Sequence, residues 1–221
     1  MSLILMIDTA QEKAFVSISK NGIPIGHIQN DIQKEHAGFL HVAIQDLLKS
    51  CEVELKDLDA LSVTKGPGSY TGIRVGMASA IGLSYALNKP IIHICSLKLL
   101  THAAMTKIID PTRVLFCPMI DARRMEVFTG LFDVNLEPIL APDAMIVDEN
   151  FMSDFLIKQS VYFIGSGKDK FEKICKNDKA QFLEVENLHF AMANLSNFYY
   201  NNKSFASIES FEPAYIKAFQ G

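Results

Sequence analysis

A glycine-rich turn is the clearest chemical signal in the sequence. Residues 66–72 read GPGSYTG and directly precede an apolar stretch with the spacing of a helix. Backbone N–H groups at the start of a helix can hold an anion, and hydroxyl side chains can cap the helix. Gly68, Ser69 and Thr71 are therefore candidate contacts for a nucleotide or another anion. A glycine turn with an ordinary helix cap explains the same residues and is the simpler interpretation.

This turn is not a Walker A phosphate loop. That motif requires Lys followed by Ser or Thr after its last glycine, whereas Ile73 and Arg74 follow Gly72 here. A second glycine segment, Gly165-Ser166-Gly167-Lys168, contains a lysine but lacks the upstream glycine and the hydroxyl residue after the lysine. Neither segment predicts a complete phosphate-binding loop.

Two aspartates stand at the ends of similar apolar runs. Asp8 follows LILMI, and Asp121 follows LFCPMI. A carboxylate at the end of a strand can face a cleft and bind a metal-bound nucleotide, or it can accept hydrogen bonds from the turn that follows. Both interpretations stay open for Asp8, which joins the candidate nucleotide contacts. For Asp121, which precedes Ala122-Arg123-Arg124, an internal ion pair is favoured.

The histidines and cysteines predict no metal site and no nucleophile. No two of the six histidines have the i, i+4 spacing that places two ligands on one face of a helix. The four cysteines lie far apart without a CxxC pair and are predicted to be reduced core residues. No Ser-His-Asp or Cys-His set follows from spacing. We therefore predict no catalytic residue and no metal ligand.

Charge and hydropathy narrow the classes of function. Lys and Arg number 21 against 25 Asp and Glu, which gives a formal net charge of −4. This charge has the wrong sign for a protein that binds a nucleic-acid backbone unaided. The N-terminus lacks the pattern of a secretory signal. The longest low-charge stretch, residues 71–87, falls short of the roughly 20 apolar residues of a membrane span. The sequence predicts a cytoplasmic protein with no membrane segment.

The periodicity around these residues predicts the elements that position them. Alternating strands on either side of Asn21-Gly22 predict a three-stranded antiparallel meander over residues 3–28. Apolar residues at helical spacing predict a helix over 36–51. A strand at 60–64, a helix at 71–87 and a strand at 91–95 then predict a parallel crossover.

The second half of the chain repeats this opening. Met119-Ile120-Asp121 matches Met6-Ile7-Asp8 at an offset of 113 residues, and Phe128 matches Phe15 at the same offset. An alternating strand over 125–133 follows the second aspartate, as one follows the first. A further strand is predicted at 161–164. The pattern indicates a duplicated α/β fold.

Several of these segments together resemble the TsaB (YeaZ) family. The resemblance covers residues 3–133 well and continues loosely through FIGSGKDKF, with GPGSYTGIRVG as its most specific part. The terminal FEPAYIKAF resembles the Pro-x-Tyr-Leu-Arg element of the family, with Ile216 and Lys217 in place of Leu and Arg. The other matching segments are LILMIDTA, KEHAGFL, DLDALSVTKGPGSYTGIRVGMASAIGLSYALNKPI and MIDARRMEVFTGLFD.

The resemblance implies a fold and a role. The fold is the actin-like ATPase-domain (ASKHA) fold, α/β, with two duplicated ribonuclease-H-like lobes of mixed sheets flanked by helices. We expect the lobes to span 1–104 and 105–221, with a C-terminal tail that packs back on the first. The implied role is a non-catalytic scaffold that activates TsaD, the paralogue that transfers a threonylcarbamoyl group to an adenosine of tRNAs reading codons that begin with A. TsaD holds its metal with a pair of histidines that has no HxxxH match in this chain.

The resemblance also implies partners and ligands. Besides TsaD, these are a TsaE-like ATPase, a second copy of the chain when it is alone, and tRNA only through the complex. No cofactor is expected to bind tightly, and ATP or ADP is expected only at the partner interface. The helices near 36 and 71–87 are the expected docking surface, because small residues recur on two faces of the second helix. The residues chosen for the partner interface are His36, Leu40, Gly72, Ile73, Gly76, Met77, Ala80 and Ile81.

Other functions compete with this one. An actin-fold small-molecule kinase would need Asp-x-Gly-Thr after the first strand, whereas Asp8-Thr9-Ala10-Gln11 lacks the glycine that lets backbone approach phosphate. An actin-fold regulator that binds a nucleotide without hydrolysing it stays open. A glycoprotease would require a zinc site that the histidine spacing does not supply.

Overall fold

The structure, a computed structural model, describes residues 2–32 and 36–207, with only the backbone given for His36 and Ala37. These residues form two compact units. The first unit holds residues 2–96 and 189–207, and the second holds residues 97–188. The division falls between Ser96 and Leu97, and the chain re-enters the first unit at His189. The lobe boundaries expected from the sequence stay a prediction.

The first unit is built on a five-stranded mixed sheet in the order β3-β2-β1-β4-β5. Its first three strands form an antiparallel meander, and β1, β4 and β5 are parallel. Asn21 and Gly22 both have positive φ, which is the backbone that a tight hairpin between β2 and β3 requires. The strands are β1 (Leu3–Asp8), β2 (Ala14–Lys20), β3 (Ile23–Asn30), β4 (Ala60–Thr64) and β5 (Ile91–Ile94).

Two long helices cover this sheet. Helix α1 (His36–Ser50) and helix α2 (Tyr70–Leu87) bury their apolar stripes in a cluster with residues of β1, β2 and β4. Helix α2 begins at the cap residue Ser69 and ends at Asn88, whose left-handed backbone stops the helix. Helix α3 (Ser96–Met105) follows β5, and helix α6 (Leu188–Asn201) closes the described part of the chain.

The second unit repeats the same sheet topology. Its strand order is β10-β9-β6-β7-β8, with β6, β7 and β8 antiparallel and β6, β9 and β10 parallel. The core is aromatic, with Phe151, Phe163 and Phe171 packed together. The elements are β6 (Leu115–Asp121), β7 (Glu126–Phe132), β8 (Pro138–Ile146), α4 (Ser153–Leu156), β9 (Val161–Ile164), α5 (Lys168–Glu172) and β10 (Ala180–Leu183). Short 3-10 helices lie at Leu55–Asp57 and Pro111–Arg113.

The shared topology confirms the duplicated α/β fold that the repeat of Met-Ile-Asp predicts. The meander, helices α1 and α2 and the parallel crossover lie where the periodicity places them, within about one or two residues. The tail expected to pack on the first lobe lies outside the described residues. Across 2–32 and 36–207, no helix combines the length and the apolar character needed to span a bilayer.

Candidate functional site

Asp8, at the end of β1, is completely buried. Its Oδ1 accepts hydrogen bonds from the backbone N–H of Ala10 at 2.9 Å and from the hydroxyl of Thr64 at 2.8 Å. The side-chain amide of Gln11 lies 3.4 Å from Oδ2. Because β1 and β4 are parallel neighbours, Thr64 ends its strand beside Asp8. The carboxylate therefore ties the turn after β1 to the end of β4, which is the turn-capping role.

The glycine-rich turn packs directly on the loop after β1. The N–H of Ser69 donates to the carbonyl of Ala10 at 2.7 Å, and the hydroxyl of Thr9 donates to the carbonyl of Gly72 at 2.6 Å. A Cβ on Gly68 would collide with the carbonyl of Ala10, and one on Gly72 would collide with the carbonyl of Thr9. These glycines are required because two backbones touch, which leaves Thr9 and Ala10 buried.

Two of the candidate anion contacts, Ser69 and Thr71, differ in whether they are open to solvent. The Ser69 side chain caps helix α2 by accepting from the N–H of Gly72 at 3.3 Å, so both its hydroxyl and its amide are engaged within the protein. Thr71 is exposed on the first turn of α2. Nearby, the guanidinium of Arg74 lies 4.0 Å from the ring centroid of Tyr70. Anion binding at Gly68, Ser69 and Thr71 stays a prediction.

The side of α2 that was chosen for the partner interface faces the interior of its own unit. Leu40, Gly72, Ile73, Gly76, Met77 and Ala80 are buried there, and Ile81 is half-buried. Six of the eight predicted interface residues are thus covered within their own unit, and the partner interface at these residues stays a prediction. A Cβ on Gly76 would collide with the hydroxyl of Thr9, so even small additions on this side disturb the monomer. The side chain of His36 lies outside the described residues.

The opposite side of α2 is open. Ala78 and Gly82 are exposed, and Tyr85 is 82% exposed. On the neighbouring helix α1, Val42 is 59% exposed. The two helices are linked by a hydrogen bond of 3.3 Å between Ser79 Oγ and His41 Nε2. We call the solvent-exposed side of the two helices, which carries Val42 on α1 and Ala78, Gly82 and Tyr85 on α2, the α1/α2 outer face.

The equivalent region of the second unit is organised by lysines. Lys170 Nζ lies 2.9 Å from Asp121 Oδ1, which confirms an internal ion pair for Asp121, although its partner is Lys170 and not a neighbouring arginine. Ser166 Oγ accepts from the N–H of Asp121 at 3.1 Å. Gly165 has a φ of 96°, and a Cβ there would press on the carbonyl of Met119. The glycine segment after β9 thus holds the end of β6.

Lys168 does not point freely from its glycine segment. It is buried, and its ammonium group lies 2.6 Å from Asp169 and 2.5 Å from Glu184. Burial opposes the charge, but hydrogen bonds and charge interactions with the two carboxylates outweigh it and raise the pKa of Lys168. The lysine that suggested half of a phosphate loop therefore serves an internal ion pair.

The histidines and cysteines are spread over the fold. Burial, with a contribution from Lys65, lowers the pKa of His93 to about 4, and burial beside His27 lowers that of His189 to about 4. The His189 ring stacks on the His27 ring at 4.0 Å. All four cysteines are free thiols, although only Cys117 is fully buried. Within the described ranges, no three His, Cys, Asp or Glu side chains come together as a metal-binding group.

Sequence reasoning missed the residues that complete each loop. Thr64 binds Asp8, Lys170 of helix α5 pairs with Asp121, and the Thr9 hydroxyl binds the Gly72 carbonyl. The types of these residues carry no special spacing, so local sequence patterns do not single them out. The one available hint was that a strand ending in Thr64 would lie parallel to β1.

Comparisons with known proteins match this chain to a single family. The family model described as "TsaD: tRNA N6-adenosine threonylcarbamoyltransferase" matches residues 25–206. The protein named "tRNA threonylcarbamoyladenosine biosynthesis protein TsaB" of Bacillus subtilis is 36% identical over 129 residues, which are 58% of this chain and 54% of that protein. Its namesake in Escherichia coli is 36% identical over 125 residues, or 57% and 52%. The matched region thus spans about half the length of these curated relatives.

A solved structure agrees over nearly the whole chain. YeaZ from Pseudomonas aeruginosa superposes with a TM-score of 0.75 over 97% of this chain and 100% of that chain, at 24% identity. At this identity the match shows the fold. Together with the repeated strand order it confirms the actin-like fold of two ribonuclease-H-like lobes.

Proposed function

The chain belongs to the TsaD family of tRNA N6-adenosine threonylcarbamoyltransferases and, within it, to the TsaB/YeaZ proteins, and from this premise we propose that it is a non-catalytic partner subunit. In this role it binds the TsaD of its organism, together with a TsaE-like ATPase, in the cytoplasm. The complex then makes threonylcarbamoyladenosine in tRNA. The chain itself transfers no group.

The observation that carries this proposal is the closed loop after β1. In an actin-fold kinase this loop must open its backbone to phosphate, which is why a glycine is needed two residues after the aspartate. Here Ala10 occupies that place, is fully buried, and gives its carbonyl to the N–H of Ser69. Asp8 is occupied with Ala10 and Thr64. This loop therefore stabilises the first unit, and a small-molecule kinase is the less compatible alternative.

The surface that fits a partner is the α1/α2 outer face. Tyr85 and Val42 are large apolar side chains that lie open to solvent, and Gly82 and Ala78 allow another backbone to approach closely. Tyrosine at such a position is typical of residues that dominate binding energy. We propose that TsaD binds here, and that a second copy of the chain uses the same face when TsaD is absent.

We expect any bound nucleotide to lie at the interface with the partner. Thr71 is exposed at the start of α2, beside Arg74 and Tyr70, on the helix that carries the outer face. We propose that ATP or ADP, if it contacts this chain, does so at Thr71 and not at the buried Asp8.

The test is made in the native organism with a tagged chain. Depletion of the chain is expected to lower threonylcarbamoyladenosine in bulk tRNA, measured by mass spectrometry of nucleosides. The tagged chain is expected to recover the TsaD protein. Normal nucleoside levels after complete depletion would contradict the proposed function.

Point variants test the docking surface. Gly82→Glu adds a charged side chain where a Cβ meets no atom within 4 Å, so the monomer is expected to fold. It should lose TsaD from the pull-down. Ile157→Glu, at a residue that is 71% exposed in the second unit, is the matched control and should recover TsaD normally. Full recovery of TsaD by a folded Gly82→Glu protein would place the interface elsewhere.

A further inference from the structure

The hairpin between β6 and β7 presents two arginines in an unusual backbone conformation. Arg123 and Arg124 have φ angles of 70° and 49°, both in the left-handed region. The turn is closed by the Ala122 N–H on the Glu126 carbonyl and by the Glu126 N–H on the Arg123 carbonyl, each at 3.1 Å. The N–H of Arg123 also donates to Asp121 Oδ1 at 2.6 Å. Both arginines are exposed.

Arginine in this left-handed conformation lowers the stability of the fold. Left-handed backbone is adopted readily by Gly and tolerated by Asn and Asp, whereas other residues lose stability there. Two such residues in succession therefore point to a use of the side chains that outweighs the strain. The turn itself would form more easily with Asn at both positions.

Within the part of the chain that the structure describes, the two arginine side chains make no polar contact that would stabilise the second unit. Among residues 2–32 and 38–207, neither guanidinium group has an ion pair or a hydrogen bond. Of the two acids that flank the turn, Asp121 and Glu126, Asp121 is already paired with Lys170. The charge of Asp121 is thus largely neutralised by a lysine. The turn carries two positive charges on a protein whose formal net charge is −4.

We propose that Arg123 and Arg124 contact phosphate groups of the tRNA backbone while the chain is held in its complex. The inference rests on the proposed function and names a contact within it. Guanidinium groups donate paired hydrogen bonds that match phosphate oxygens. An exposed turn does not enclose a small ligand, but it can lie along a polyanionic strand. Because the rest of the chain is acidic, these contacts add to binding that the partner supplies.

The test compares variants of the full chain in complex with the TsaD of the same organism. The probe is total tRNA from that organism, titrated at several salt concentrations. The double variant Arg123→Asn/Arg124→Asn is expected to weaken tRNA binding about tenfold and to flatten the slope of log K against log salt by about 1 to 2. Its Tm should rise by about 2–4 °C, because Asn tolerates left-handed backbone.

Two controls isolate the cause. Arg113→Asn removes another exposed arginine of the same unit, one that is paired with Asp110, and should leave tRNA binding unchanged. Arg123→Lys/Arg124→Lys keeps both charges and should keep the salt slope. Co-purification with TsaD should be normal for all variants, which separates this inference from the proposed function.

Each contrary result has a definite meaning. Unchanged tRNA affinity and salt slope in the Asn double variant would overturn the proposal. Loss of TsaD from the complex would show instead that the turn binds an acidic protein surface, and reduced ATP binding with normal tRNA binding would assign it to a nucleotide. Either outcome also overturns the contact with RNA.

Discussion

The loops that leave β1 and β6 hold equivalent places in the two units, yet they have opposite surroundings. The first is buried under the glycine-rich turn, with Asp8 completely inaccessible. In the second, the Asp121 side chain is 39% exposed, pairs with Lys170 and is followed by a turn of two exposed arginines. The loop after β1 is part of the core, whereas the loop after β6 is exposed to solvent and can contact a partner. Duplication of a fold therefore does not duplicate the role of its loops.

The largest effect should come from filling the contact between the glycine-rich turn and the first loop. Gly72→Ala places a Cβ against the carbonyl of Thr9, and backbone on both sides prevents relaxation. We expect a loss of about 3 kcal/mol in the free energy of unfolding, measured with urea.

Gly82→Ala is the matched control for this prediction. It lies on the same helix, where a Cβ meets nothing within 4 Å. It should gain about 1 kcal/mol, because alanine has the higher helix propensity. Equal behaviour of the two variants would mean that the first loop is not packed as described.

The two aspartates should differ in their cost of removal. Asp8→Ala leaves the buried N–H of Ala10 and the hydroxyl of Thr64 without this acceptor, which should cost about 2 kcal/mol. Asp121→Ala breaks a partly exposed pair, and Lys170 keeps its bond to the Glu126 carbonyl, so the cost should stay below about 1 kcal/mol. The free energies of unfolding of both variants, measured with urea, test this difference. A larger loss for Asp121→Ala would reverse the comparison.

Acid should destabilise the first unit through His189. The pKa of His189 is lowered from 6.5 to about 4, so the unfolded chain binds the proton more readily. Stability from this group is present above about pH 6.5 and is lost as the pH falls from there towards about 4.

The substitution His189→Phe keeps a ring against Phe15 and His27 but removes the titration. The urea midpoint of the wild type should fall more between pH 7 and pH 5 than that of the variant. The same loss in both proteins would assign the acid sensitivity to other groups, such as His93.

Most of the architecture could be predicted because it follows from local patterns. Alternation around Asn21-Gly22 predicts the meander, and the recurrence of Met-Ile-Asp at residues 6 and 119 predicts the duplication. Strands β8 and β10 were not predicted. Strand β8 is largely exposed and β10 has four residues, so neither has a strong apolar alternation.

The site was harder to predict than the fold, as α2 shows. Small residues recur on two faces of this helix, and the spacing of Gly72, Gly76 and Ala80 resembles that of Ala78, Gly82 and Ala86. The prediction places the partner on the face with Gly76, which in the monomer packs against Thr9 and Ile7. Helical periodicity shows that two faces exist, but it does not tell which one meets the sheet.

By itself the sequence determined the family, the repeat and the positions where turns and helices must begin, because these depend on residues that are close in the chain. Only the tertiary structure decided what Asp8 does. Its partner Thr64 lies 56 residues away and reaches it because β1 and β4 pair in parallel. Lys170, on helix α5, likewise reaches Asp121 only in the folded chain. A carboxylate looks the same in a sequence whether its neighbour in the fold is a hydroxyl, a lysine or water, and that neighbour sets its role.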